Sequence, residues 1–124
     1  MTKSQAIYNF MSNFLPAYEE TTVPSGDMSP EFPYLTYSLS TSSFDEGEVP
    51  ISVSLWYRGT SWSAANKKAD EISEYIGNAY PIKCNGGNIW IKRGTPFAQN
   101  MGDDSDDMIR RKLINLTVEY NTKY

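Results

Sequence analysis

Alternating apolar and polar residues along several segments, two helix-period apolar stripes, and turn residues between them predict an α+β domain. The expected architecture is a mixed, mainly antiparallel sheet of about five strands with two helices packed on one face, in the order α-β-β-α-β-β-β. The clearest segment is Ile51-Ser52-Val53-Ser54-Leu55-Trp56-Tyr57. Ile51, Val53, Leu55 and Tyr57 share one face; Ser52, Ser54 and Trp56 share the other. Small hydroxyls at a period of two mean a sheet buried on one side only. Truncating Leu55 should therefore be costly, and truncating Ser54 should cost little.

Each element has its own signal. Residues 3–15 predict a helix: Thr2 and Gln5 fit a capping box, and Ile7, Phe10, Met11 and Phe14 form an apolar stripe that ends before Pro16. Residues 16–31 carry several turn formers and predict a long connecting loop. Phe32 to Ser40 predicts a strand with Leu35, Tyr37 and Leu39 on one face and Tyr34, Thr36 and Ser38 on the other. Residues 41–49 are polar and acidic and, with their flanks, suggest a long projecting β-hairpin, with Phe44 exposed at its tip or packed back on it. The strand 50–57 follows. Ser63 is placed to cap a helix over 64–76 with Ala65, Ala69, Ile72 and Ile76 on its buried stripe, and Gly77 is placed to end it. Residues 80–93 predict a hairpin turning through Asn85-Gly86-Gly87-Asn88. Residues 94–107 predict a loop, and 108–120 a last strand with Ile114, Leu116, Val118 and Tyr120 facing inward.

The chain of 124 residues predicts a single domain, 1–124. It contains no histidine, which removes the commonest general base and metal ligand, and its one cysteine, Cys84, forms no intrachain disulfide and predicts a buried thiol. No cofactor and no metal are expected, and an enzyme is not. Catalysis by paired carboxylates would require Glu71 and Glu74, or the aspartates near residue 105, to line a cleft. The start of the chain lacks a secretory apolar region, and no run approaches the ~20 apolar residues of a membrane span, so a cytosolic protein without membrane partners is expected. Nine tyrosines and three tryptophans exceed what a small core can hold, which points to exposed aromatics that meet other proteins.

Charge is uneven. Residues 1–57 carry net −6 and residues 58–124 net +2, which together make the chain's −4. The split suits subunits that meet head to tail, or arises by chance in a short chain. Net negative charge argues against sequence-specific grip on nucleic acid. Candidate contact residues are Phe44, Asp45, Glu46 and Glu48 in the acidic front, and Arg110 and Arg111 in the basic back. Asp103, Asp104, Asp106 and Asp107 crowd one loop. They admit three readings: a cation site without the EF-hand spacing, a solvated acidic loop, or a negative rim on a pore that lets DNA slide.

The strand–strand–helix core Phe32–Gly77 resembles the tail-terminator (tail-completion, head-tail joining) proteins of long-tailed bacteriophages. The likeness rests on Val49-Pro50-Ile51-Ser52-Val53-Ser54-Leu55-Trp56-Tyr57, the turn Arg58 to Ser63 and the Ala- and Lys-rich helix after it, with 3–15 similar to the family's opening helix. The resemblance implies a structural virion protein whose copies form a hexameric ring that stops tail-tube growth and joins the tube to the head. Its partners would be itself, the tail-tube protein and head-connector proteins, with DNA passing through the ring. It would assemble in the host cytoplasm and then reside in the tail. By the same likeness the 41–49 segment would reach a neighbouring subunit or the tube, and the acidic loop 103–107 would face the DNA channel. The alternative is a small monomeric binding module or regulator that docks through its exposed aromatics.

Overall fold

The computed structural model describes residues 1–44, 46–102 and 105–124. In chain order the elements are α1 (Lys3–Met11), β1 (Ala17–Glu19), β2 (Tyr34–Tyr37), β3 (Glu48–Arg58), α2 (Ser63–Ile76), β4 (Tyr80–Cys84), β5 (Gly87–Met101) and β6 (Ile109–Thr122). Short 3-10 turns at Glu20–Thr22 and Gly26–Met28 interrupt the long connection before β2. The strands form one sheet in the spatial order β1-β2-β3-β6-β5-β4. β1 and β2 run parallel, and the other neighbouring pairs run antiparallel.

The domain is α+β, with the mixed, mainly antiparallel sheet expected from the alternation. It differs in strand count and order: six strands, not about five, in the sequence α-β-β-β-α-β-β-β. The added strand is β1, which extends the sheet by pairing Ala17 with Leu35 and Glu19 with Tyr37.

The register explains the core. Leu35 pairs with Leu55, and Val53 with Ile114. Ile51 pairs with Leu116, and Val118 with Ile91. These side chains share one sheet face. Ala6, Ile7, Phe10 and Met11 of α1 and Ala69, Ile72 and Ile76 of α2 bury into the same cluster. One face is therefore covered by both helices and the other is left to solvent. α1 reaches both outer strands, β1 and β4, so the sheet curls around it.

Several boundaries move, each for a local reason. The capping box forms as expected, with Thr2 accepting from the Gln5 amide and the Gln5 side chain from the Thr2 amide. Yet α1 stops at Met11 rather than 15, because Asn13 and Phe14 tighten into three-residue turns onto Phe10 and Met11. Ser63 is not the cap of α2 but its first residue; Trp62 precedes it, and the Ser61 hydroxyl accepts from the Ser63 amide. The second hairpin turns through Asn85 and Gly86 alone, since Cys84 pairs with Gly87. Residues 94–101 are strand, not loop: β5 resumes pairing at Ala98–Ile114 after a bulge, and Asn115 Nδ2 donates to the Pro96 carbonyl at 2.8 Å across it.

β2 and β3 pair as an antiparallel hairpin, but among the described residues of 41–49 none pairs across it to make a projecting ribbon. The chain leaves β2, follows β3 only as far as the bond from Ser38 to the Ser52 carbonyl, and folds back over the end of β6. There the Phe44 amide donates to the Thr122 carbonyl at 2.8 Å. The Tyr120 hydroxyl donates to the Ser40 carbonyl at 2.6 Å, and Lys3 Nζ to the Ser42 carbonyl at 2.8 Å. A polar segment with free carbonyls is held more readily by such donors than as an unsupported ribbon.

Candidate functional site

The uncovered sheet face carries an aromatic row built by strand register. Tyr34 on β2 pairs with Trp56 on β3, which pairs with Arg111 on β6. The Tyr34 and Trp56 rings stack with centroids 6.1 Å apart and planes 15° from parallel. The Arg111 guanidinium lies 5.1 Å from the Trp56 ring centroid, within range of a cation–π contact. Tyr18 and Phe32 add edge-on or tilted contacts to Tyr34. Burial among these rings, then the neighbouring Tyr18, pushes the Tyr34 phenol upward.

The row below fixes it. Trp56 Nε1 donates to Thr36 Oγ1 at 2.9 Å, and Arg111 Nε donates to Ser54 Oγ at 3.0 Å. Ser54 is only 6% exposed although it lies on the uncovered face, because Arg111 and Trp56 lie over it. Two polar atoms of the platform, Trp56 Nε1 and Arg111 Nε, are thus anchored by neighbouring hydroxyls. Such a platform offers a planar apolar surface and one guanidinium, which suits a partner that brings an aromatic ring and an anion.

At the other end of the same strands the face is ionic. Lys92 Nζ sits 2.9 Å from both Glu48 Oε1 and Glu119 Oε2. Hydrogen bonds to Glu48 first and to Glu119 next hold the Lys92 ammonium above its usual range. Beyond them Phe44 is 62% exposed. Glu46 accepts from the hydroxyls of Ser42 at 2.5 Å and Ser43 at 3.1 Å, and these bonds hold its carboxyl below the usual carboxylate range.

The residues singled out in the sequence fall at two ends. Phe44, Glu46 and Glu48 lie where β3 begins, and Arg110 and Arg111 where it finishes. With β3 running from Glu48 to Arg58, the ends are about 33 Å apart at ~3.3 Å per residue. Arg110 and Arg111 point to opposite faces: Arg110 lies over Trp62 beside α2, and only Arg111 joins the aromatic row. Of the acidic loop, Asp106 pairs with Arg58 and accepts from the Met108 amide at 2.9 Å, while the Asp107 carbonyl receives Arg110. Asp45, Asp103 and Asp104 lie outside the described residues. Among the described residues no three carboxylate or thiol side chains gather as a cation site.

Sequence reasoning placed Tyr34 and Trp56 on the polar side of their strands but did not join them, nor did it find Tyr18. The signal present was the two large aromatics at positions where alternation calls for polar side chains. A second feature, also not foreseen, is a groove of about 810 Å³ between α1 and the open edge of β1, with Tyr8, Ala17, Tyr37 and Leu39 among its lining residues. Against models of known families and against curated proteins, the chain finds no match.

Proposed function

We propose that this chain is a structural subunit of a phage tail, whose copies close into a ring, hexameric by its family likeness, that ends the tail tube and joins it to the head. The observation that carries the reading is the polarity of the uncovered face. An exposed aromatic with a carboxylate stands at one end of the β3–β6 ribbon, and a stacked aromatic platform with a guanidinium at the other. One chain cannot bring these ends together, whereas copies arranged head to tail can. On this reading the protein works by shape, without cofactor or turnover, and the loop around Asp106 and Asp107 faces the DNA channel. It is made in the host cytoplasm and then becomes part of the virion.

Light scattering and negative-stain microscopy of the pure protein, alone and with tail tubes, test the proposal. Rings, free or capping tube ends, are expected. A strict monomer at high concentration that also ignores tail tubes overturns it.

The groove beside α1 supports a second reading, a monomeric module that binds a partner protein. That reading requires a stable one-to-one complex in place of rings.

A further inference from the structure

We propose that Phe44 and Glu46 of one copy dock on the Tyr34–Trp56–Arg111 platform of the next, so that the contact repeats head to tail. The inference rests on the ring reading above and names the surfaces that would build it. The two surfaces are complementary in kind. The donor segment presents an exposed ring, Phe44, two residues from a carboxylate that two serine hydroxyls keep charged. The receiving surface presents a Tyr–Trp stack with a guanidinium seated at its edge. Only Arg111 Nε is engaged by Ser54; the remaining guanidinium N–H groups have no acceptor among the described residues. A carboxylate delivered beside them would make a charge-assisted pair, and a phenyl ring would pack against the exposed parts of these aromatic side chains.

Geometry selects a second copy as the occupant. Both surfaces are present on each chain and lie at opposite ends of the β3–β6 ribbon, so each copy has one donor and one acceptor. Such a contact is heterologous, and a repeated heterologous contact closes into a ring when its rotation allows. Arg111 is held by Ser54 and Trp56, the Phe44 backbone by its amide bond to Thr122, and the Glu46 carboxylate by Ser42 and Ser43.

The test is a charge exchange read by sedimentation velocity and by binding to tail tubes. Glu46→Lys and Arg111→Glu are each expected to weaken self-association about tenfold or more, since each places like charges across the contact. The double variant is expected to recover most of that loss, as a coupled pair does. Near-ultraviolet circular dichroism checks that each variant keeps its tertiary structure; Phe44→Ala, at an exposed position, gives a second readout and should also weaken assembly. Rings that persist with both single variants overturn the proposed contact and leave the ring reading standing. A series that stops at the dimer also overturns it, because mutual pairing of two copies is then the contact. Wild-type protein that forms no ring, with or without tubes, overturns both.

Discussion

Leu55 and Ser54 are neighbours on β3 with opposite surroundings, and both are buried. Leu55 has 0% exposure in the core cluster, so Leu55→Ala is expected to cost about 2–5 kcal/mol in urea denaturation. Ser54→Ala is not free, as alternation alone suggests. It leaves Arg111 Nε without its acceptor and should cost about 1 kcal/mol in the same measurement. Equal losses at the two positions would show that the buried face is misassigned. Tyr120 contributes to the dependence of stability on alkaline pH. Burial first, then the neighbouring Cys84, pushes its phenol up to about 12. In the unfolded chain it ionises near ~10. Between those values the unfolded state has lost a proton that the folded state keeps, so stability is intact below the lower value and falls as pH rises through the upper one. Tyr34, Tyr37 and Tyr57 are shifted the same way, chiefly by burial, and share the decline. Tyr120→Phe should therefore shrink, without abolishing, the drop in urea midpoint between about pH 9 and about pH 11.

The first residue of β5, just past the β4–β5 turn, leaves no room for a side chain. Gly87 has φ +154°, and a Cβ there would stand 2.1 Å from the Asn121 carbonyl oxygen. Gly87→Ala must displace β6 and is expected to cost about 2–4 kcal/mol by denaturant unfolding. The hairpin itself was legible from its glycines, as β3 and β6 were from their alternation. The inner side chains Ile114, Leu116, Val118 and Tyr120 are where the pattern puts them. What was not legible has physical causes. β1 has only three residues, too few to alternate, and exists because β2 and α1 support it. The second half of β5 contains Gly94 and Pro96, which read as breakers; a bulge absorbs them and the strand continues. The 38–47 segment carries hairpin-like composition, but Ser40, Ser42 and Phe44 are held by Tyr120, Lys3 and Thr122, far away in sequence.

For the whole molecule, half of the candidate site was readable. The charge split showed acidic and basic halves, and the structure assigns parts of them to opposite ends of one ribbon. The aromatic platform was not readable as a unit, because Tyr18, Tyr34, Trp56 and Arg111 come from four strands and only register unites them. If the ends attract through Glu46 and Arg111, association should weaken with added salt, since exposed charges are screened within ~10 Å at 0.1 M ionic strength. Sedimentation from low to high sodium chloride checks this; assembly that is indifferent to salt would point to apolar contact alone. The sheet order carries one further consequence. β6 sits between β3 and β5, yet it is the latest of the six in sequence. While a ribosome has delivered only the residues before Ile109, the nascent chain can hold two partial sheets, β1–β2–β3 and β4–β5, each with a bare backbone edge where the keystone belongs. Those edges are open to strands from other nascent chains until β6 arrives.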